Sequence, residues 1–105
     1  MTGPLDELFG ALADPTRRRI IELLVQDGPQ TATGLAVHFA ATRQAVVKHL
    51  QALAAAGLVV GERRGREVRY RATTERLRAA VTWLLDTGRD WDRRADRLRG
   101  TGGAR

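Results

Sequence analysis

The chain has 105 residues, enough for one small domain with a modest core. Its 18 Lys and Arg outnumber 12 Asp and Glu, and the net charge of +6 favours a polyanionic partner such as nucleic acid. There is no cysteine, which excludes disulfide scaffolds, thiolate zinc sites and thiol redox chemistry.

The acidic start, MTGPLDELFG, lacks a long apolar run, so neither a secretory signal nor a transit peptide is expected. No stretch approaches bilayer length, and the expected location is cytoplasmic, with no membrane partner. Leu5, Leu8, Phe9 and Leu12 fall on one face of a first helix. A second helix follows in DPTRRRIIELLVQDG. Asp14 suits the N-cap, Pro15 the first turn, and Gly28-Pro29 the stop.

A third helix is predicted from Thr31, carrying Leu35, Ala36 and Phe39, followed by a tight turn at Ala40-Ala41. Thr42 caps a fourth helix that runs to about Ala56, where Gly57 ends it. The period then changes to two. LVVGERRGREVRYRA reads as a two-stranded hairpin joined at Arg64-Gly65, with Val68 and Tyr70 on one side and Glu67, Arg69 and Arg71 on the other.

The last helix is expected over residues 74–99. Leu77, Val81, Leu84, Gly88, Trp91, Ala95 and Leu98 recur every four and three residues, as in a heptad seam. Such a seam needs a partner helix, and a second copy is the simplest source. The tail at 100–105 has nothing to bury and is expected to be disordered.

This order predicts a mainly α winged helix-turn-helix with a small β-hairpin, forming one domain over residues 1–99. The helix-turn-helix would span about 31–56 and the wing about 58–72. After Asp27 no carboxylate appears until Glu62. Val46, Leu50 and Leu53 make the inward face of the fourth helix, which leaves Arg43, Gln44, Val47, Lys48 and Gln51 outside.

A carboxylate pressed against phosphate is repelled whatever the base sequence, so an acid-free face suits double-stranded DNA. Arg43 can bond bidentately to guanine and Gln44 or Gln51 to adenine, while Val47 can meet a thymine methyl. Lys48 suits phosphate. Thr31 and Thr33 bring a helix N-terminus to another phosphate. Arg63, Arg64 and Arg66 crowd the wing tip, where backbone or minor groove would lie.

ALADPTRRRIIELL, ATRQAVVKHLQALAAAGLV and ERRGREVRYRAT together resemble the ArsR/SmtB-type winged-helix transcriptional regulators, over roughly Leu5 to Leu98. The resemblance is greatest to the branch without metal ligands. It implies a homodimeric repressor on a dyad-symmetric operator, paired through its first and last helices. The interface residues would be Leu5, Leu8, Phe9, Leu77, Val81, Leu84, Trp91 and Leu98. Family members often carry serine where Thr42 and Val47 stand, and proline at Gln44.

No cofactor or metal site is expected. His38 and His49 lie in different helices without a carboxylate near them in sequence, and His49 reads as a packing residue. No nucleophile is paired with a base, and no glycine loop cradles a phosphate, so an enzyme is not expected. Arg17, Arg18 and Arg19 suit either a phosphate clamp or ion pairs with Glu22 or the first helix. Trp83 and Trp91 suit core and dimer anchors. The residues leave open an effector small molecule, a partner protein, and a winged helix that docks proteins instead of DNA.

Overall fold

Helix α1 spans Pro4–Leu12 and α2 spans Pro15–Asp27. Strand β1 is Gln30–Thr31, helix α3 Ala32–Ala36 and helix α4 Arg43–Ala55. Strands β2 (Val59–Arg64) and β3 (Glu67–Ala72) form the wing, and α5 runs over Glu75–Gly102. These elements come from a computed structural model that describes residues 3–102, with side chains to residue 99.

The caps act as the residue types dictate. Asp14 accepts from the amides of Thr16 (2.7 Å) and Arg17 (3.3 Å), and Pro15 opens α2. Burial works against ionisation of the Asp14 carboxyl, but those two amide bonds and the nearby charges of His49 and Arg17 outweigh it, and its pKa is lowered. Thr31 accepts from Gly34 N at 3.0 Å and Thr42 from Ala45 N at 3.1 Å.

Helix α4 closes with Gly57 at φ 75°. Leu58 N donates to Leu53 O and Gly57 N to Ala54 O, the paired bonds of a Schellman stop. The stop also brings Leu53 and Leu58 together, and both are fully buried.

The core lies between the short helices and the root of the wing. Ile20, Ile21, Leu23 and Leu24 of α2 meet Leu35 of α3, and Val46, Leu50 and Leu53 of α4. Leu8, Leu58, Val59 and Ala80 close it. A fully buried Leu or Val contributes roughly 1.5–3 kcal/mol relative to exposure, so the inward stripe of α4 anchors its outward face.

Several sequence expectations need correction. The sheet has three strands in the order β1-β3-β2, because Gln30 and Thr31 pair with Tyr70 and Arg69. Two residues are too few to show a period of two, so β1 left no pattern to read. Helix α3 stops at Ala36, and Phe39 packs on the core from the turn that follows. The hairpin turn is Gly65-Arg66, one residue later than expected, with Arg64 paired to Glu67. Gly65 sits at φ 64° and Arg66 does not have positive φ, the pattern of a type II′ turn.

Helix α5 continues through Gly102, so residues 100–102 are helical where disorder was expected; residues 103–105 lie outside the described residues. Leu8, expected at a dimer interface, is 1% exposed and belongs to the protomer core. Its position on α1 faces α2 and α4, leaving no surface for a second chain. Leu5 and Leu77 also pack partly on that core.

Candidate nucleic-acid interface

Thr42 sets where α4 begins and the buried Val46, Leu50 and Leu53 set its rotation. Together they turn Arg43, Gln44, Lys48 and Gln51 outward, and all four are exposed. Lys48 and Arg43 therefore stand in solvent and not in the interior. Val47 differs from its expected role: it is half-buried and packs against the core, so only part of it faces outward.

Arg43 and Val47 line a cleft with Thr31, Ala32 and Thr33 on one side and Arg66, Val68 and Tyr70 on the other. The cleft therefore joins the starts of α3 and α4 to the wing. Thr33 is exposed, whereas Thr31 is half-buried and its hydroxyl oxygen already accepts the Gly34 amide. That cap uses one of the few N–H groups expected to remain free for phosphate. Glu67 reaches the same cleft and pairs with Arg69 at 4.0 Å.

The wing separates the three arginines of its tip. Arg63 opposes Val68 in register and shares the sheet face that carries Val68 and Tyr70 towards α4. Arg66, in the turn, lines the same cleft as Arg43. Arg64 lies on the other face, in a depression with Glu62, Glu67, Arg69 and Arg71. There Arg71 Nε donates to Glu62 Oε1 at 3.1 Å. The wing thus has a face with carboxylates paired to arginines and a face towards α4 that carries Arg63 and Arg66.

Sequence reasoning overlooked Gly61. A Cβ there would stand 3.0 Å from the Tyr70 ring and 3.1 Å from Val68. Glycine lets the Tyr70 ring cross to the opposite strand, and so helps shape the cleft wall. The available signal was a lone glycine inside an alternating strand.

Behind α4, Arg17 Nε donates to His49 Nδ1 at 3.4 Å, which links the start of α2 to the outward helix. Arg18 donates to the Leu12 carbonyl at 2.5 Å, and Arg19 pairs with Glu22 at 3.5 Å. Each of the three arginines therefore has a partner within the chain, and His49 is half-buried as expected of a packing residue.

Five of the eight residues expected at an interface are exposed: Phe9 on α1 and Val81, Leu84, Trp91 and Leu98 on α5. Phe9 meets Trp83 edge-on, with ring centroids 6.0 Å apart and an interplanar angle of 62°. Val81, Leu84, Trp91 and Leu98 are exposed along α5, as are Trp83 and Leu85. Trp83 and Trp91 are thus not core residues. Among the described residues, no group of three or more His, Asp or Glu side chains is placed to share a metal ion, and no helix is long and apolar enough to cross a membrane.

A family model described as a helix-turn-helix domain matches residues 12–62. The transcriptional repressor SdpR of Bacillus subtilis is 33% identical over 82 residues, covering 78% of this chain and 90% of SdpR. The structure of an ArsR-like transcriptional regulator from Rhodococcus sp. RHA1 superposes with a TM-score of 0.87 at 38% identity, covering 97% of this chain and 95% of that one. A homodimeric winged helix-turn-helix DNA-binding domain from Mycobacterium bovis gives a TM-score of 0.66 at 27% identity, over 82% and 91% of the two chains. With the α4 face, the wing beside it and the long α5 in this arrangement, the chain belongs to the ArsR family of winged helix-turn-helix transcriptional regulators.

Proposed function

We propose that the protein is a homodimeric repressor that binds a dyad-symmetric operator in double-stranded DNA, with α4 in the major groove. The observation that supports this most directly is the acid-free interval between Asp27 and Glu62. Its exposed members Arg43, Gln44, Lys48 and Gln51 share the outward side of α4, and Arg66 of the wing lies across the cleft from Arg43. Val47 contributes its exposed edge, and Thr33 and Thr42 flank the helix start. Arg63 and Arg66 suit the backbone beside the groove.

Two copies would place their α4 helices about 34 Å apart, or a multiple of that, which sets the half-site spacing. Phe9, Val81, Leu84, Trp91 and Leu98 supply the apolar contact between the copies. Binding to DNA implies a cytoplasmic location and involves no catalytic step. Cysteine thiolates are the protein ligands that suit soft metals, and this chain has none, so release from DNA by thiolate-bound metal does not fit it.

Selection of bound fragments from a random duplex pool tests the proposal. The expected product is a motif with dyad symmetry and the spacing above. Arg43→Ala should weaken binding to that motif by roughly 1–3 kcal/mol and relax preference at one base pair of each half-site. A pool that enriches no motif, with salt-insensitive binding to a protein instead, would replace this reading with a protein-docking winged helix.

A further inference from the structure

Of the three arginines at the start of α2, Arg17 is half-buried, while Arg18 and Arg19 are exposed. The Arg17 amide donates to the Asp14 cap at 3.3 Å, and its Nε donates to His49 Nδ1 at 3.4 Å. One residue thus ties the cap of α2 to α4, which lies far along the chain. Arg18 and Arg19 are used locally, on the Leu12 carbonyl and on Glu22.

The place of His49 on α4 gives this bond its consequence. At about 100° per residue, Arg43 and Val47 stand on one edge of the buried stripe of Val46, Leu50 and Leu53, and His49 stands on the other. The first edge meets the wing in the cleft with Val68 and Tyr70. The second edge meets the start of α2. Apolar contacts are non-directional, so the stripe alone leaves α4 some freedom to roll about its axis. A roll of about 10° moves side-chain tips at a radius of ~6 Å by ~1 Å. That is about twice the ~0.5 Å tolerance of a preorganised site. A hydrogen bond on the edge away from the wing opposes the roll.

We propose that Arg17 is a positioning residue for operator reading: it acts through His49 to hold the roll of α4 and touches no DNA itself. This rests on the reading of α4 as the groove helix. The type of partner suits the task. Nδ1 accepts from Arg17 when the ring is neutral with its proton on Nε2. A carboxylate at position 49 would bind the guanidinium more strongly. It would also return a negative charge to the acid-free interval between Asp27 and Glu62, next to Lys48. Histidine anchors α4 without that charge.

Fluorescence anisotropy with a duplex carrying the selected motif, compared with a scrambled duplex, tests the assignment. Arg17→Ala should weaken binding to the motif about tenfold and to the scrambled duplex less than about threefold. Its salt slope should stay within about half a unit of the parent. His49→Ala should lose as much as Arg17→Ala, and the doubly substituted protein no more than about twofold beyond either. His49→Asn keeps an acceptor near the place of Nδ1 and should bind the motif within about threefold of the parent.

A slope lowered by about 1.8 in Arg17→Ala, with motif and scrambled duplex losing alike, would mean that Arg17 itself holds phosphate, and would end the proposal. Losses that add in the double variant would show that the two residues act separately, with the same result. A parent with no preference for any motif removes the operator reading, and this assignment with it. A parent that has the preference while Arg17→Ala keeps it in full overturns the assignment alone.

The bond can also be read without DNA or substitution. In the parent protein, two-bond 15N–1H correlations of the neutral His49 ring should place its proton on Nε2. A proton on Nδ1 would leave Arg17 no acceptor there and refute the link.

Discussion

Arg66→Ala and Arg64→Ala form a matched pair, because the two arginines are close in sequence but lie on different faces of the wing. Arg66 lines the cleft with Arg43, whereas Arg64 shares the opposite depression with Glu62; Glu67 reaches both. If Arg66 neutralises one phosphate in each half-site, its loss removes two contacts from the dimer. The log–log salt slope of operator binding should then fall by about 1.8, from 0.9 for each contact. Extrapolated from 1 M to about 0.15 M salt, that is roughly 30-fold in affinity, or about 2 kcal/mol.

Arg64 already stands among carboxylates, so its loss releases few ions, and the slope should stay within about half a unit of the parent. Fluorescence anisotropy of a labelled operator duplex, titrated across a series of salt concentrations, measures both slopes. Both side chains are exposed, so thermal unfolding should differ little from the parent. Equal slopes for the two variants, or a greater loss from Arg64→Ala, would refute the assignment of wing faces to DNA and solvent.

Three further outcomes concern the frame that holds α4. Leu50→Ala should cost roughly 2–5 kcal/mol, because Leu50 is fully buried in the core, and should lower Tm by more than about 10 °C in calorimetry. Gly57→Ala should destabilise the protein more than Gly65→Ala, as read by urea unfolding. Both glycines have positive φ, but a Cβ at Gly57 also stands 2.9 Å from Cγ of Arg76, while one at Gly65 meets nothing within 4 Å.

Asp14 predicts the direction of an acid effect. Its folded pKa lies below the ordinary 3.8, so its stabilisation is present above that value and is lost as pH falls through the folded pKa. Asp14→Asn keeps a cap that cannot titrate. Its unfolding midpoint should therefore fall less than the parent's over that acidic range in a pH series monitored by circular dichroism; an unchanged pH response would refute the role.

Helices α2 and α4 were legible because each has start, stop and period in its own residues, whereas α3 stops at Ala36, short of Phe39. Asp14, Thr42 and Gly57 act locally, and the spacing of Val46, Leu50 and Leu53 determines which side of α4 turns inward wherever the helix is placed. The acid-free interval was legible for the same reason, since charge type survives folding unchanged. The errors fell where local signals are short: a two-residue strand, a three-residue excess at the end of α5, and a turn displaced by one position.

By itself the sequence determined the element order, the inward stripe of α4 and the absence of carboxylates from its outer side, because these depend on residue type and periodicity over a few turns. Only the tertiary structure decided that Arg66 faces α4 while Arg64 does not, that Leu8 belongs to the protomer core, and that Tyr70 crosses over Gly61. Those outcomes depend on strand register and on which neighbouring element reaches an apolar face first. A one-residue change in register turns every wing side chain to the opposite face, and a helix face is buried or free according to partners distant in the chain.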